Sequence, residues 1–171
     1  MHFTRKSLNH LEAKNLPSII ILGTAGTIAA AAASVANTTD YALAHGVEAV
    51  SRAVPQVHSI ATISGEQIVN VSSQEINNSV LLTLAKRVNI LLHSDSIDGI
   101  VITHGTDTME ETAYFLNLVV KSTKPVVLVG AMRPSTALSA DGPLNLLNAV
   151  AFAASQRSDG LGGVWVLKSR C

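Results

Sequence analysis

Asp98-Gly99-Ile100-Val101-Ile102-Thr103-His104-Gly105-Thr106-Asp107-Thr108-Met109-Glu110-Glu111-Thr112-Ala113 carries the pattern that decides the fold. Ile100 to Ile102 is an unbroken β-branched run, which suits a strand buried on both faces. At Thr103 it gives way to polar and small residues. Thr108 and Glu111 then have capping-box spacing for a helix running through Val120. A buried strand that passes through a short loop into a helix is half of a βαβ unit.

Outward from this unit the alternation repeats. Ser18-Ile19-Ile20-Ile21-Leu22-Gly23 reads as a buried strand ending at glycine. After Thr24-Ala25-Gly26-Thr27 come the alanines Ala29 to Ala33, which favour helix but lead into a polar loop, Ser34 to Asp40. Val47, Val50 and Val54 mark a short helix over 46–54, stopped at Pro55. Ile60-Ala61-Thr62-Ile63 and Gln67-Ile68-Val69-Asn70-Val71 are separate β-rich pieces. Asn77 or Asn78 caps a helix to about Leu92, with Val80, Leu81, Leu84, Val88 and Leu91 on its apolar face. Pro125 to Gly130 is a further buried strand. A loop follows to Gly142, then a helix from Pro143 to about Ser155 with proline at its favoured first position. Gly163 to Leu167 begins another strand.

These elements predict an α/β fold: a mainly parallel sheet with flanking helices. Residues 1–17 read as a polar leader and 18–171 as one domain, with no internal linker or repeat. The composition agrees. The chain has 171 residues, 47% hydrophobic but only 4% aromatic and 14% charged, so its core is built from Val, Ile, Leu and Ala.

Twelve basic and twelve acidic residues cancel. No basic stripe marks a nucleic-acid surface, and no apolar stretch reads as a membrane span. Cys171 is the single cysteine, so no internal disulfide can form. The start, MHFTRKSLNHLEAKNLPS, has no apolar run of about 7–15 residues and does not read as a secretory signal, which favours the cytoplasm.

In open α/β sheets ligands bind beyond the carboxyl ends of the strands. Two threonine-bearing loops occupy that position: Gly23-Thr24-Ala25-Gly26-Thr27, and Thr103 to Thr108. Their small residues let backbone N–H groups approach a substrate oxygen. A threonine hydroxyl becomes a nucleophile once a base or relay takes its proton, and an ionised Asp107 suits a ligand ammonium. Plainer readings stand beside these: Thr27 as a turn residue, Asp107 and Thr108 as helix caps, His104 as a structural histidine. Gly23-x-x-Gly26 fits neither the dinucleotide fingerprint nor the P-loop, and no His, Cys or carboxylate cluster has metal-ligand spacing.

Taken together, the loops resemble those of the bacterial-type L-asparaginase/glutaminase family, its type II enzymes in particular, over roughly Leu16 to Leu167. The segment Ile102 to Ala113 reproduces the family's second signature. Pro125-Val-Val-Leu-Val-Gly-Ala-Met-Arg-Pro-Ser135 and Ser139-Ala-Asp-Gly-Pro143 are equally typical. The resemblance implies an amidohydrolase that converts L-asparagine to L-aspartate and ammonia without metal or cofactor. It implies Thr27 as primary nucleophile, with Tyr41, on a loop closing over substrate, helping to activate it. Thr106 matches the second catalytic threonine. Ser73, Gln74 and Asp107 match the residues that hold the substrate's α-carboxylate and α-ammonium. It further implies L-asparagine, with L-glutamine as a second candidate, as the small-molecule partner, and a homotetramer; type II relatives are typically exported to the periplasm.

The sequence also departs from the family. Ala25 stands where the first of two glycines is usual; at positive φ its Cβ would cost about 1 kcal/mol. Ser72 stands where glycine is common, and Ala30 to Ala33 replace a glycine-rich hinge. Leu167-Lys168-Ser169-Arg170-Cys171 departs from an Asn-Asp-containing stretch, as a frameshift or truncated gene would. In the family the lysine that partners the second threonine lies downstream, and Lys168 falls too early to be it. The resemblance thus sets the expectation of a truncated N-terminal domain with weak or no turnover. The alternative is a non-catalytic fragment that binds asparagine or aspartate.

Overall fold

The computed structural model describes residues 16–24, 54–133, 137–155 and 162–169. Five strands form one parallel sheet: β1 (Ser18–Gly23), β2 (Thr62–Gln67), β3 (Gly99–Thr103), β4 (Val126–Val129) and β5 (Val164–Leu167), in the order β2-β1-β3-β4-β5. Among the described residues three α-helices accompany it: α1 (Asn78–Leu92), α2 (Met109–Val119) and α3 (Gly142–Ala153). The expected α/β architecture is present.

Alternation along the central strands builds two cores at once. Ile20, Leu22, Ile100, Ile102, Val126 and Leu128 face α1 and α2, meeting Leu84, Val88, Leu91, Ala113 and Leu116. Their neighbours Ile19, Ile21, Val101, Val127 and Val129 point the other way, onto Leu146, Ala149, Val150 and Ala153 of α3 and onto Val57. Continuous apolar runs are therefore required, since every residue of β3 and β4 is buried. No helix among the described residues is long and apolar enough to cross a membrane.

The order places a topological switch between β1 and β3, because the chain leaves β1 toward one edge and β3 toward the other. From β2 onward every step moves in the same direction. The helices of the first two steps lie on one face and α3 on the opposite face, so the β4–α3–β5 crossover has the opposite hand. It is the exception to the right-handed rule.

Local signals set most boundaries. The Asn77 side chain accepts hydrogen bonds from the N–H groups of Ser79 and Val80 and so caps α1. Asn89 donates to the carbonyls of Ala85 and Val119 and accepts from the Lys121 N–H, joining the far ends of α1 and α2.

Other expectations need correction. The β-rich pieces at 60–63 and 67–71 are replaced by one strand, Thr62–Gln67, paired with β1 from Ser18↔Thr62 to Gly23↔Gln67. A bidentate pair between Arg87 and Glu66, at 2.8 and 2.7 Å, ties this strand to α1. Pro55 opens a 3-10 turn, Pro55–Ser59. The rest of the helix expected over 46–54, and the Ala29–Ala33 stretch, lie outside the described residues. The capping box expected at Thr108 and Glu111 does not form: the Thr108 side chain makes no capping bond. Its hydroxyl donates instead to the Ser73 carbonyl at 2.8 Å, so a tertiary partner takes the role from the local one.

Candidate active site

At the switch point the ends of β1 and β3 are fastened together. Thr24 is fully buried; its hydroxyl donates to the Thr103 carbonyl at 2.9 Å and its N–H to the same oxygen at 3.2 Å. Thr24, the last described residue of this segment, is thus a fixed point beside the Thr106 loop. Thr27 and Tyr41 themselves lie outside the described residues, as does Ala25.

The other four expected site residues converge. Ser73–Glu75 and Thr106–Thr108 are short 3-10 turns at this end of the sheet. Ser73 is buried under Gly105, where a Cβ would fall 2.6 Å from the Ser73 hydroxyl oxygen; only glycine lets the two turns approach this closely. Beside this contact the Gln74 side-chain amide donates to Asp107 at 2.9 Å. Gln74 and Asp107 are exposed and Thr106 is half-buried, so these side chains line an accessible rim above a packed base. Ser72 has φ −62° and ψ 146°, extended backbone that any residue adopts, so serine there carries no strain. The Ser72 N–H donates to Glu75 at 3.0 Å, closing the first turn.

His104 supports the second turn from below. The ring is 2% exposed; its Nδ1–H donates to the Gly105 carbonyl at 2.6 Å, while Nε2 is buried with no hydrogen-bond partner among the described residues. Burial pushes its pKa below the ordinary 6.5, with the Gly105 bond working in the opposite direction. The neutral tautomer with hydrogen on Nδ1 fits these contacts. An unfolded His104 takes up a proton below about pH 6.5, whereas the folded one resists until lower pH. This contribution to stability is fully present above that value and is lost as pH falls through the folded pKa. The urea midpoint is thus expected to drop as pH is lowered from about 7 to about 5, and less steeply in His104→Asn. Identical slopes would assign the acid sensitivity to other groups.

Asp141 and Asn145 were not singled out in the sequence, although Asp141 lies in the Ser139–Pro143 run. Asp141 accepts hydrogen bonds from the N–H groups of Met132 and Arg133 at 3.1 and 3.0 Å, and from the Asn145 amide at 3.0 Å. Burial opposes its ionisation, but these donors outweigh it and hold the carboxyl below its usual range. A carboxylate that folds a loop back onto the start of its own helix gives no periodic signal.

Comparison with known proteins places this arrangement. The family model "Asparaginase, N-terminal" matches residues 18–171. The chain is 61% identical over 160 residues to L-asparaginase 2 of Bacillus subtilis (strain 168), covering 93% of this chain and 43% of that protein. It is 56% identical over 153 residues to L-asparaginase 2 of Escherichia coli (strain K12), covering 89% and 43%. With the glutaminase-asparaginase of Pseudomonas fluorescens biotype A the identity is 55% over 148 residues, covering 86% and 41%. The chain spans less than half the length of these relatives. On the matched fold, the convergent turns and this similarity, the chain belongs to the asparaginase family, to whose N-terminal domain residues 18–171 correspond.

Proposed function

We propose that the chain forms the amino-acid-binding side of an active site for hydrolysis of a side-chain amide, L-asparagine and water giving L-aspartate and ammonia. Names of relatives extend the candidate substrates to L-glutamine. The single observation that carries the reading is the Gln74–Asp107 hydrogen bond above the Ser73–Gly105 contact. It joins turns 33 residues apart in sequence into one polar rim at the switch point. Asp107 takes the α-ammonium and Ser73 and Gln74 the remaining polar end of the amino acid. Thr106 faces the amide as the second catalytic threonine. In the same reading Thr27 attacks the amide carbon and expels ammonia, Tyr41 assists its deprotonation, and water cleaves the resulting ester. Rate then comes from orientation and from donors aimed at the developing oxyanion, with no cofactor. The family's homotetramer and the division into a leader (1–17) and one domain (18–171) complete the proposal.

The second reading is binding of asparagine or aspartate at the Gln74–Asp107 rim without turnover. Calorimetry with L-aspartate and an ammonia assay with L-asparagine test both. Saturable binding of one L-aspartate per chain is expected, with ammonia release separating the two readings. Absence of both signals would overturn the site as described.

A further inference from the structure

Behind the Thr106 turn lies a polar chain to which the proposed reaction assigns no role. Asn145, on the first turn of α3, is 4% exposed and fully engaged. Its Nδ2 donates to the Gly130 carbonyl at 2.9 Å and to Asp141 at 3.0 Å, while its Oδ1 accepts from the Ser169 hydroxyl at 2.7 Å. A flipped amide would set its oxygen against a carbonyl and a carboxylate, so one orientation is dictated.

Gly130, thus held, is the first residue after β4. A Cβ on it would lie 3.0 Å from the Thr106 methyl carbon and 3.0 Å from the His104 carbonyl oxygen, and would press on the end of the Met109 side chain. The Gly130 backbone is therefore packed directly against the methyl of Thr106. A threonine carries methyl and hydroxyl on the same Cβ, so fixing one in a staggered well fixes the other.

We propose that Asn145 is a positioning residue for Thr106, acting through Gly130: it seats the backbone against which the Thr106 methyl rests and so aims the hydroxyl. This rests on the reading of Thr106 as the second catalytic threonine. Asp141 contributes by fixing the Asn145 amide and by gathering the Met132 and Arg133 N–H groups on the same side. The one-sided steric fit explains why a glycine at 130 serves the site: it leaves just enough room for the threonine in one rotamer.

The test reads the Thr106 rotamer in the full chain by NMR, from three-bond couplings of its labelled methyl carbon to the backbone. A single-rotamer coupling is expected in the wild type. In Asn145→Ala it should collapse toward a rotamer average, with a shift of the Thr106 methyl resonance. Gly130→Ala, approaching from the other side without touching the Asn145 amide, should also displace that resonance, which keeps the test valid if Asn145→Ala does not fold. Asn89→Ala, which removes hydrogen bonds at the opposite end of the sheet, should leave Thr106 unmoved and so separates positioning from general loss of stability. Unchanged Thr106 couplings in folded Asn145→Ala, or in Gly130→Ala where the former is unfolded, would overturn the proposal even if L-aspartate binds. Altered couplings in a chain whose wild type binds no L-aspartate would uphold the positioning and remove the catalytic reading instead.

Discussion

Replacing Asp141 by alanine is expected to cost about 2–4 kcal/mol of folding stability, and to lower the melting temperature by roughly 5–15 °C at this chain length. Asp141 is 6% exposed and receives three donors: the N–H groups of Met132 and Arg133 and the Asn145 amide. Truncation removes every one of these acceptors while the donors stay in place. Leaving a buried donor unmade costs about 1–3 kcal/mol, and water entering the space offsets part of the sum. Asp141→Asn should fall between the two, since its amide keeps one acceptor oxygen but loses the charge. The carboxyl is held below its ordinary pKa, so its contribution is present above the unfolded value near 3.8 and is lost as pH falls through the folded one. Acid unfolding of Asp141→Ala should accordingly lack this component. Chemical denaturation at neutral pH decides the matter: a loss below about 0.5 kcal/mol would mean that the loop reorganises around the missing carboxylate.

The contrast between β2 and the central strands shows where sequence patterns carry structural information. Ile19 to Leu22, Ile100 to Ile102 and Val126 to Val129 are buried on both sides, so side-chain chemistry and backbone pairing agree. In β2 they diverge. Thr62-Ile63-Ser64-Gly65-Glu66-Gln67 has modest β-propensity, and what makes it a strand is register with β1, a partner more than forty residues earlier in sequence. The richer run Ile68 to Val71 only continues the contact irregularly, with N–H groups of Ile68 and Val71 reaching the Gly23 and Thr24 carbonyls.

The same division governs the site. The positions of Thr106 and Asp107 at a strand end were legible from glycines, threonines and the strand–loop–helix pattern, whereas Ser73 and Gln74 entered only through the family resemblance. The contact between the two turns was not legible, because nothing in either turn encodes the 2.9 Å bond across 33 residues. Family resemblance alone grouped them beforehand. Thr108 shows the opposite case, where a correct local motif is overruled by the nearby Ser73 carbonyl. Asp141 and Asn145 escaped notice since polar residues at a helix start read as caps until the folded loop supplies their partners. The residues that pack the base of the two turns are thus less visible in sequence than those on their exposed rim.

The charge on Asp107, rather than its shape, is expected to set affinity for an amino acid. Asp107→Asn retains nearly the same outline and can still accept from the Gln74 amide, the bond that orients Asp107 at 2.9 Å. What it loses is the ionised partner for an α-ammonium, and a hydrogen bond involving charged groups contributes about 1.5–3 kcal/mol. At about 1.4 kcal/mol per tenfold, L-aspartate should bind roughly 10- to 100-fold more weakly to the variant. Succinate supplies the control, because it has the two carboxylates of aspartate and no ammonium. The wild type should prefer L-aspartate, and the preference should vanish in Asp107→Asn, with succinate affinity unchanged or slightly improved by removal of a repelling carboxylate. Calorimetry of both ligands against both proteins completes the cycle. If the substitution weakens both ligands equally, Asp107 supports the turn and does not meet the ammonium. If it weakens neither, the ammonium lies elsewhere and the rim above Ser73 and Gly105 is not the amino-acid subsite. Loss confined to L-aspartate would instead tie one exposed carboxylate, held by one glutamine, to recognition of the substrate's charged end.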